Sequence, residues 1–222
     1  MDFFSMEKNH NMLGPGTEYH TEYWGRAEQR RLLSELAPVF QAAPLFKPRM
    51  PRTNQPWSIL MTNMGELGWV SDVNGYRYQP DHPVSGQPWP QIPDMLVEAW
   101  AALTGYPHPP QCCLINHYQG DKAKMGLHQD RDEEDFNAPV LSFSIGDSAV
   151  FRMGGAQRKG STKSIRLHSG DAFIIGGASR LNFHGIDRLL VGSSSLLADC
   201  LPEHFPQGGR LNLTLRRVTT AG

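Results

Sequence analysis

The chain has 222 residues, 39% hydrophobic and 19% charged, with a formal net charge of −1 at pH 7. That length sustains one sizeable core, so a single domain over 1–222 is expected; the near-neutral balance excludes a protein that coats nucleic acid by bulk charge, and any such partner has to be met by a local patch. No apolar run is long enough to span a membrane, the start shows no signal-peptide pattern, and Cys112, Cys113 and Cys200 form neither a disulfide framework nor a zinc knuckle, so a cytoplasmic protein (nuclear if eukaryotic) is expected rather than a secreted one.

The segment 1–22 has no hydrophobic period and reads as a loose N-terminal arm. Leu32, Leu33, Leu36, Val39 and Phe40 then fall at helical spacing, with Pro38 and Pro44 limiting the helix. Between about 45 and 92 the chain is rich in Gly, Pro and aromatics, including Trp57, Trp69, Tyr76, Tyr78 and Trp89, and reads as a flap laid over a larger layer. A second helix is predicted over 93–104, opened by Pro93 and stopped at Gly105. From about 111 to 218 short β-rich runs replace the helical period: Cys112 to Tyr118, Val140 to Ile145, Ala149 to Met153, Ser164 to Leu167, Ala172 to Ile175, Leu189 to Val191 and Leu211 to Val218. Gly and Asp punctuate them. The pattern predicts a mainly β (α+β) fold with a two-sheet antiparallel jelly-roll core.

Two motifs carry chemistry. His128-Gln129-Asp130 is followed by His184 fifty-four residues later. In a strand, a His and an Asp two apart point the same way, and two imidazoles with one carboxylate are a ligand set for ferrous iron that leaves positions open for a co-substrate and O2. His-x-Asp alone is weak: with 9 His and 12 Asp in the chain, about half an occurrence arises by chance. The second motif is Arg210-Leu211-Asn212-Leu213-Thr214-Leu215-Arg216, whose alternation buries leucines on one face and presents two cations and two hydrogen-bonding side chains on the other. The two arginine Cα atoms stand roughly 20 Å apart at about 3.3 Å per residue. Side chains leaning inward leave a gap for a small dicarboxylate, and guanidinium forks favour carboxylates. Iron with a dicarboxylate suggests 2-oxoglutarate.

These residues, together with Met61-Thr62-Asn63, Leu67-Gly68-Trp69, Gly75-Tyr76, Leu114-Ile115-Asn116-His117-Tyr118, Gly176-Gly177-Ala178-Ser179-Arg180-Leu181 and His184-Gly185, make the chain resemble the AlkB family of Fe(II)- and 2-oxoglutarate-dependent nucleic-acid dioxygenases. The resemblance runs from about Met61 to Arg217. It implies a double-stranded β-helix core with N-terminal helices and a nucleotide-recognition flap. Within it, His128, Asp130 and His184 hold Fe(II). Arg210, Tyr118 and Asn212 bind the distal carboxylate of 2-oxoglutarate, and Arg216 and Asn116 the carboxylate beside the keto group. Trp69 stacks on a flipped base with His128 opposite, Tyr76 meets a phosphate, Asp132 reads the amino group or positive charge of a methylated ring, and Arg158, in a run over 148–170 with five basic and no acidic residues, touches the nucleic-acid backbone.

The implied activity is direct-reversal repair of N-alkylated bases of the 1-methyladenine and 3-methylcytosine type, in DNA with RNA as a second substrate, by oxidative demethylation that releases formaldehyde, succinate and CO2. A monomer is expected. The alternative is a hydroxylase of a protein or small molecule on the same fold, which keeps the iron and 2-oxoglutarate residues and has no role for Trp69, Tyr76 and Asp132. A jelly-roll binding module or structural zinc protein predicts no turnover of 2-oxoglutarate at all. The sequence departs from the bacterial members at Leu211, at His117 and in a longer, proline-bearing connection over 201–209.

Overall fold

Two stacked antiparallel sheets carry the fold in the computed structural model, which describes residues 8–10 and 12–220. In chain order the elements are β1 (Lys8–His10), β2 (Thr17–His20), α1 (Arg26–Ala42), β3 (Leu60–Gly65), β4 (Gly68–Asp72), β5 (Gly75–Gln79), α2 (Asp94–Thr104), β6 (Cys112–Tyr118), β7 (Met125–His128), β8 (Val140–Gly146), β9 (Ala149–Met153), β10 (Lys163–Leu167), β11 (Ala172–Ile175), β12 (His184–Leu189), α3 (Leu196–Cys200) and β13 (Arg210–Arg216). The larger sheet has the order β1-β2-β11-β8-β13-β6-β3, the smaller β10-β9-β12-β7, and β4-β5 form a separate hairpin. This is the jelly roll expected from the β-rich runs.

Strand alternation sorts the larger sheet into two faces. Leu211, Leu213 and Leu215 of β13, with Cys113, Ile115, Leu141 and Phe143, pack under α1 and α2 against Leu32, Leu36, Phe40, Leu96 and Trp100. The opposite face carries Leu114, Tyr118, Phe173 and Ile175 toward Phe151, Leu167 and Ile186 of the smaller sheet. Hence the even positions of β13 face the space between the sheets, because the odd ones fill the helix-side core.

Several expectations change. Residues 17–20 are not part of a loose arm: β2 pairs with β11 in the main sheet, and Tyr19 is buried with its hydroxyl donating to Asp171 Oδ2 at 2.6 Å. The segment has no visible period because only four residues are involved; residues 1–7 and 11 lie outside those described. Helix α1 runs through Pro38 to Ala42, since burial of Val39 and Phe40 outweighs the one backbone bond a proline forfeits. Helix α2 keeps its expected stop, with Gly105 in the left-handed region at φ 59°. The segment 45–92 is only partly a flap, because β3 pairs with β6 at the edge of the main sheet. The strand expected at 189–191 is instead β12, ending at Leu189; Gly185, Asp187 and Arg188 hide its apolar period.

Candidate metal and co-substrate site

His184 opens β12 and His128 ends β7, and the two are cross-strand partners. Gly185 permits that approach, since a Cβ there would lie 2.4 Å from the Met125 carbonyl oxygen. Asp130 follows two residues after β7, beyond the strand, so its position comes from its contacts rather than from strand alternation. His128 Nε2 stands 3.6 Å from Asp130 Oδ1 and His184 Nε2 stands 3.5 Å from Asp130 Oδ2. The ligand atoms of these three side chains lie within 4.8 Å of one another, the single such group among the described residues.

The ring tautomers follow from the other nitrogens. His128 Nδ1 donates to the Gly126 carbonyl and His184 Nδ1 to the Asn182 carbonyl, each at 3.0 Å, so both Nε2 atoms present lone pairs toward the carboxylate. Desolvation, with His184 beside it, pushes His128 down to about 4, which keeps it neutral. Burial opposes ionisation of Asp130, but the Arg216 guanidinium beside it holds its carboxyl well below the usual carboxylate range. Two lone pairs and a carboxylate facing one another call for a cation between them, and a non-haem Fe(II) fits this donor set.

A cavity of about 320 Å3 between the sheets holds this triad together with the polar face of β13. Arg210 pairs across the strands with Tyr118, and Asn212 with Asn116, so these four side chains share the cavity wall. Arg210 is fully buried; its Nη2 donates to Ser144 Oγ at 2.7 Å and its Nη1 to the Asp147 carbonyl at 3.4 Å, while Nε has no partner. Among the described residues no carboxylate forms an ion pair with it, and burial pushes its pKa down to about 10 against the more distant charges of Asp171 and Asp147. A buried guanidinium held only by neutral acceptors is a site built for an anion. At the other end of β13, Arg216 Nη2 donates to Asp130 Oδ1 at 2.9 Å, which places this arginine at the triad. Arg216 Nε and Asn116 Oδ1 are also buried without partners. A dicarboxylate with one end at Arg210 and the other beside Arg216 fits the cavity's unmet hydrogen bonds.

The mouth is aromatic. Trp69 is buried, stacked on Tyr76 at 5.5 Å and 17°, with Trp57 edge-on at 5.8 Å. Asn63 clamps the Trp69 backbone through its side-chain amide, and the indole Nε1 donates to Asp132 Oδ2 at 2.8 Å. Tyr76 is about half exposed and covers one face of Trp69. Arg158 also lines the cavity. Sequence reasoning did not single out Trp57, Tyr78, Glu133 or Arg180. Glu133 lies in an acidic run that reads as a solvated turn, yet it is buried and accepts from Arg216 Nη1 at 3.1 Å, Arg180 Nη2 at 3.2 Å and the Tyr78 hydroxyl. Arg180 Nη1 also donates to the Asp130 carbonyl at 2.7 Å. Two buried arginines opposite two buried carboxylates close a network that no local pattern announces.

A model of the 2OG-Fe(II) oxygenase superfamily matches residues 16–216. The chain is 50% identical over 193 residues to the alpha-ketoglutarate-dependent dioxygenase AlkB homolog of Caulobacter vibrioides, covering 87% of this chain and 83% of that protein. It is 39% identical over 196 residues to the alpha-ketoglutarate-dependent dioxygenase AlkB of Escherichia coli, covering 86% and 85%. The solved structure of OsALKBH1 superposes with a TM-score of 0.74 at 28% identity, covering 92% of this chain and 99% of that one.

Proposed function

Because the chain belongs to the AlkB family of 2-oxoglutarate- and Fe(II)-dependent oxygenases, we propose that it removes N-methyl groups from alkylated nucleic-acid bases, with 1-methyladenine and 3-methylcytosine types in DNA as the main substrates and RNA as a second. One observation carries this reading: a single cavity joins the His128, Asp130 and His184 triad and the unpaired Arg210 guanidinium to an aromatic mouth of Trp69 and Tyr76 beside Asp132. Among the described residues no helix is long and apolar enough to cross a membrane. We place the protein in the cytoplasm, working as a monomer.

The chemistry that bound Fe(II) and 2-oxoglutarate supply is reduction of O2 coupled to loss of CO2 and succinate, with one oxygen atom ending on the N-methyl carbon, whose hemiaminal releases formaldehyde and the restored base. His128, Asp130 and His184 would hold the metal. Arg210 with Tyr118 and Asn212 would grip the distal carboxylate, and Arg216 with Asn116 the nearer one, fixing the keto acid in direction along β13. Trp69 and Tyr76 exclude water and offer π faces to a base taken out of its stack. The Asp132 carboxylate favours a cationic methylated ring over a neutral base. Arg158 meets the phosphate backbone at the rim. None of these groups has to move a proton; they orient and desolvate.

Mass spectrometry of methylated oligonucleotides incubated with protein, Fe(II), ascorbate and 2-oxoglutarate tests the proposal. The expected result is loss of one methyl mass from 1-methyladenine or 3-methylcytosine, abolished in His128→Ala. Succinate formation that methylated oligonucleotide fails to stimulate would instead favour a protein or small-molecule hydroxylase.

A further inference from the structure

The hairpin that carries Trp69 and Tyr76 also reaches Arg216, through Tyr78. Trp69 of β4 and Tyr78 of β5 are direct cross-strand partners, so they project from the same face of the hairpin. They clasp two consecutive carboxylates: the Trp69 indole donates to Asp132, and the Tyr78 hydroxyl donates to Glu133 Oε1. The same Tyr78 oxygen accepts from Arg216 Nη1 at 3.0 Å, and Glu133 Oε1 accepts from that Nη1 at 3.1 Å. Glu133 is in turn held by Arg180, which also grips the Asp130 carbonyl. Both hydrogens of Arg216 Nη1 are therefore taken up, by Tyr78 and Glu133, and one of Nη2 by Asp130, which leaves Nε, buried and without a partner, and the second Nη2 hydrogen as the donors still free.

We propose that Tyr78 is a positioning residue for the co-substrate: wedged between Glu133 and Arg216, it fixes the rotation of the guanidinium so that its unused donors, Nε and the second Nη2 hydrogen, are the ones presented to the keto-acid carboxylate. The inference rests on the reading of Arg216 as a carboxylate ligand of 2-oxoglutarate and extends it to a residue of the substrate-facing hairpin. A long arginine side chain has several rotamers, and holding it in one before the ligand arrives lowers the ordering cost of binding. Asp130 alone leaves the head free to pivot about one hydrogen bond. Tyr78 and Glu133 supply the second and third points that stop the pivot.

The test is Tyr78→Phe, which keeps the ring and removes only the hydroxyl. The dissociation constant of 2-oxoglutarate is measured by titration calorimetry under anaerobic conditions with Mn(II) in the site, and metal affinity separately by chelator competition. The expected result is a 2-oxoglutarate constant raised about five- to tenfold, the scale of one ordinary hydrogen bond, with metal affinity and thermal midpoint near those of the wild type. In turnover the KM for 2-oxoglutarate rises while kcat at saturation is retained. Glu133→Gln, which weakens the same clasp from its other side, should move the constant in the same direction. An unchanged 2-oxoglutarate constant in Tyr78→Phe, or a loss of 2-oxoglutarate and metal affinity in equal proportion, overturns the proposal. Failure of the demethylase reading is distinguishable, because it would show as normal keto-acid binding with no methyl loss from any oligonucleotide.

Discussion

Arg210 is the residue whose chemistry decides most. A guanidinium at 0% exposure whose hydrogen bonds go to neutral acceptors is costly to bury, and on the proposed function its counter-charge is the distal carboxylate of 2-oxoglutarate. Replacing it with a side chain of similar reach and no charge separates the two effects. Arg210→Met should hold or raise the thermal midpoint of the ligand-free protein, since an uncompensated charge leaves the interior, while 2-oxoglutarate affinity falls by about a hundredfold or more for loss of a forked ion pair. Calorimetric titration beside a melting curve reads both quantities; retention of keto-acid binding would show that the cavity's anion site lies elsewhere. The position of Arg210 on the polar face of β13 is legible in the sequence through alternation. That its hydrogen bonds go to Ser144 and the Asp147 carbonyl is not, because those partners lie far away in the chain.

At the scale of elements, the pairing of β7 with β12 builds the metal site. Both strands are short, and β12 shifts register near Ile186, so neither shows a sustained apolar period. Gly185 sets their separation, because a Cβ there would lie 2.4 Å from the Met125 oxygen and 2.8 Å from the Gly126 oxygen. Gly185→Ala is expected to push β7 outward, carrying His128 away from Asp130 and weakening Mn(II) or Co(II) binding at least about tenfold, as measured by chelator competition. The rest of the sheet should keep its melting behaviour to within a few degrees. Unaltered metal affinity would mean that β7 can shift without moving the imidazole. The spacing of His128 and Asp130 reads as strand alternation, yet Asp130 lies outside any strand and is held by Arg216 and by Arg180 on its carbonyl. The right residues were visible for a reason that is only half correct.

For the whole molecule, the N-terminal strands β1 and β2 close one side of the larger sheet, with β2 covering β11. Removing residues 1–20 strips Tyr19 from the interior and exposes the β11 edge. The cost is at least about 2 kcal/mol from the lost side-chain burial, hence a thermal midpoint lower by roughly 5 °C or more for a chain of this size, with greater self-association through the open edge. A truncated protein that melts at the wild-type temperature and stays monodisperse in light scattering would show β2 to be dispensable. By itself the sequence determined the jelly-roll class and the two longer helices and named the candidate iron and keto-acid side chains, because alternation, caps and short motifs are local and each residue carries its own chemistry. Tertiary structure decided which of those groups meet. It joined Tyr78 of the hairpin, Glu133 of the acidic turn, Arg180 and Arg216 into one buried network, and it made β2 a sheet member, since such contacts join residues whose separation along the chain leaves no periodic trace and whose burial depends on every layer packing at once.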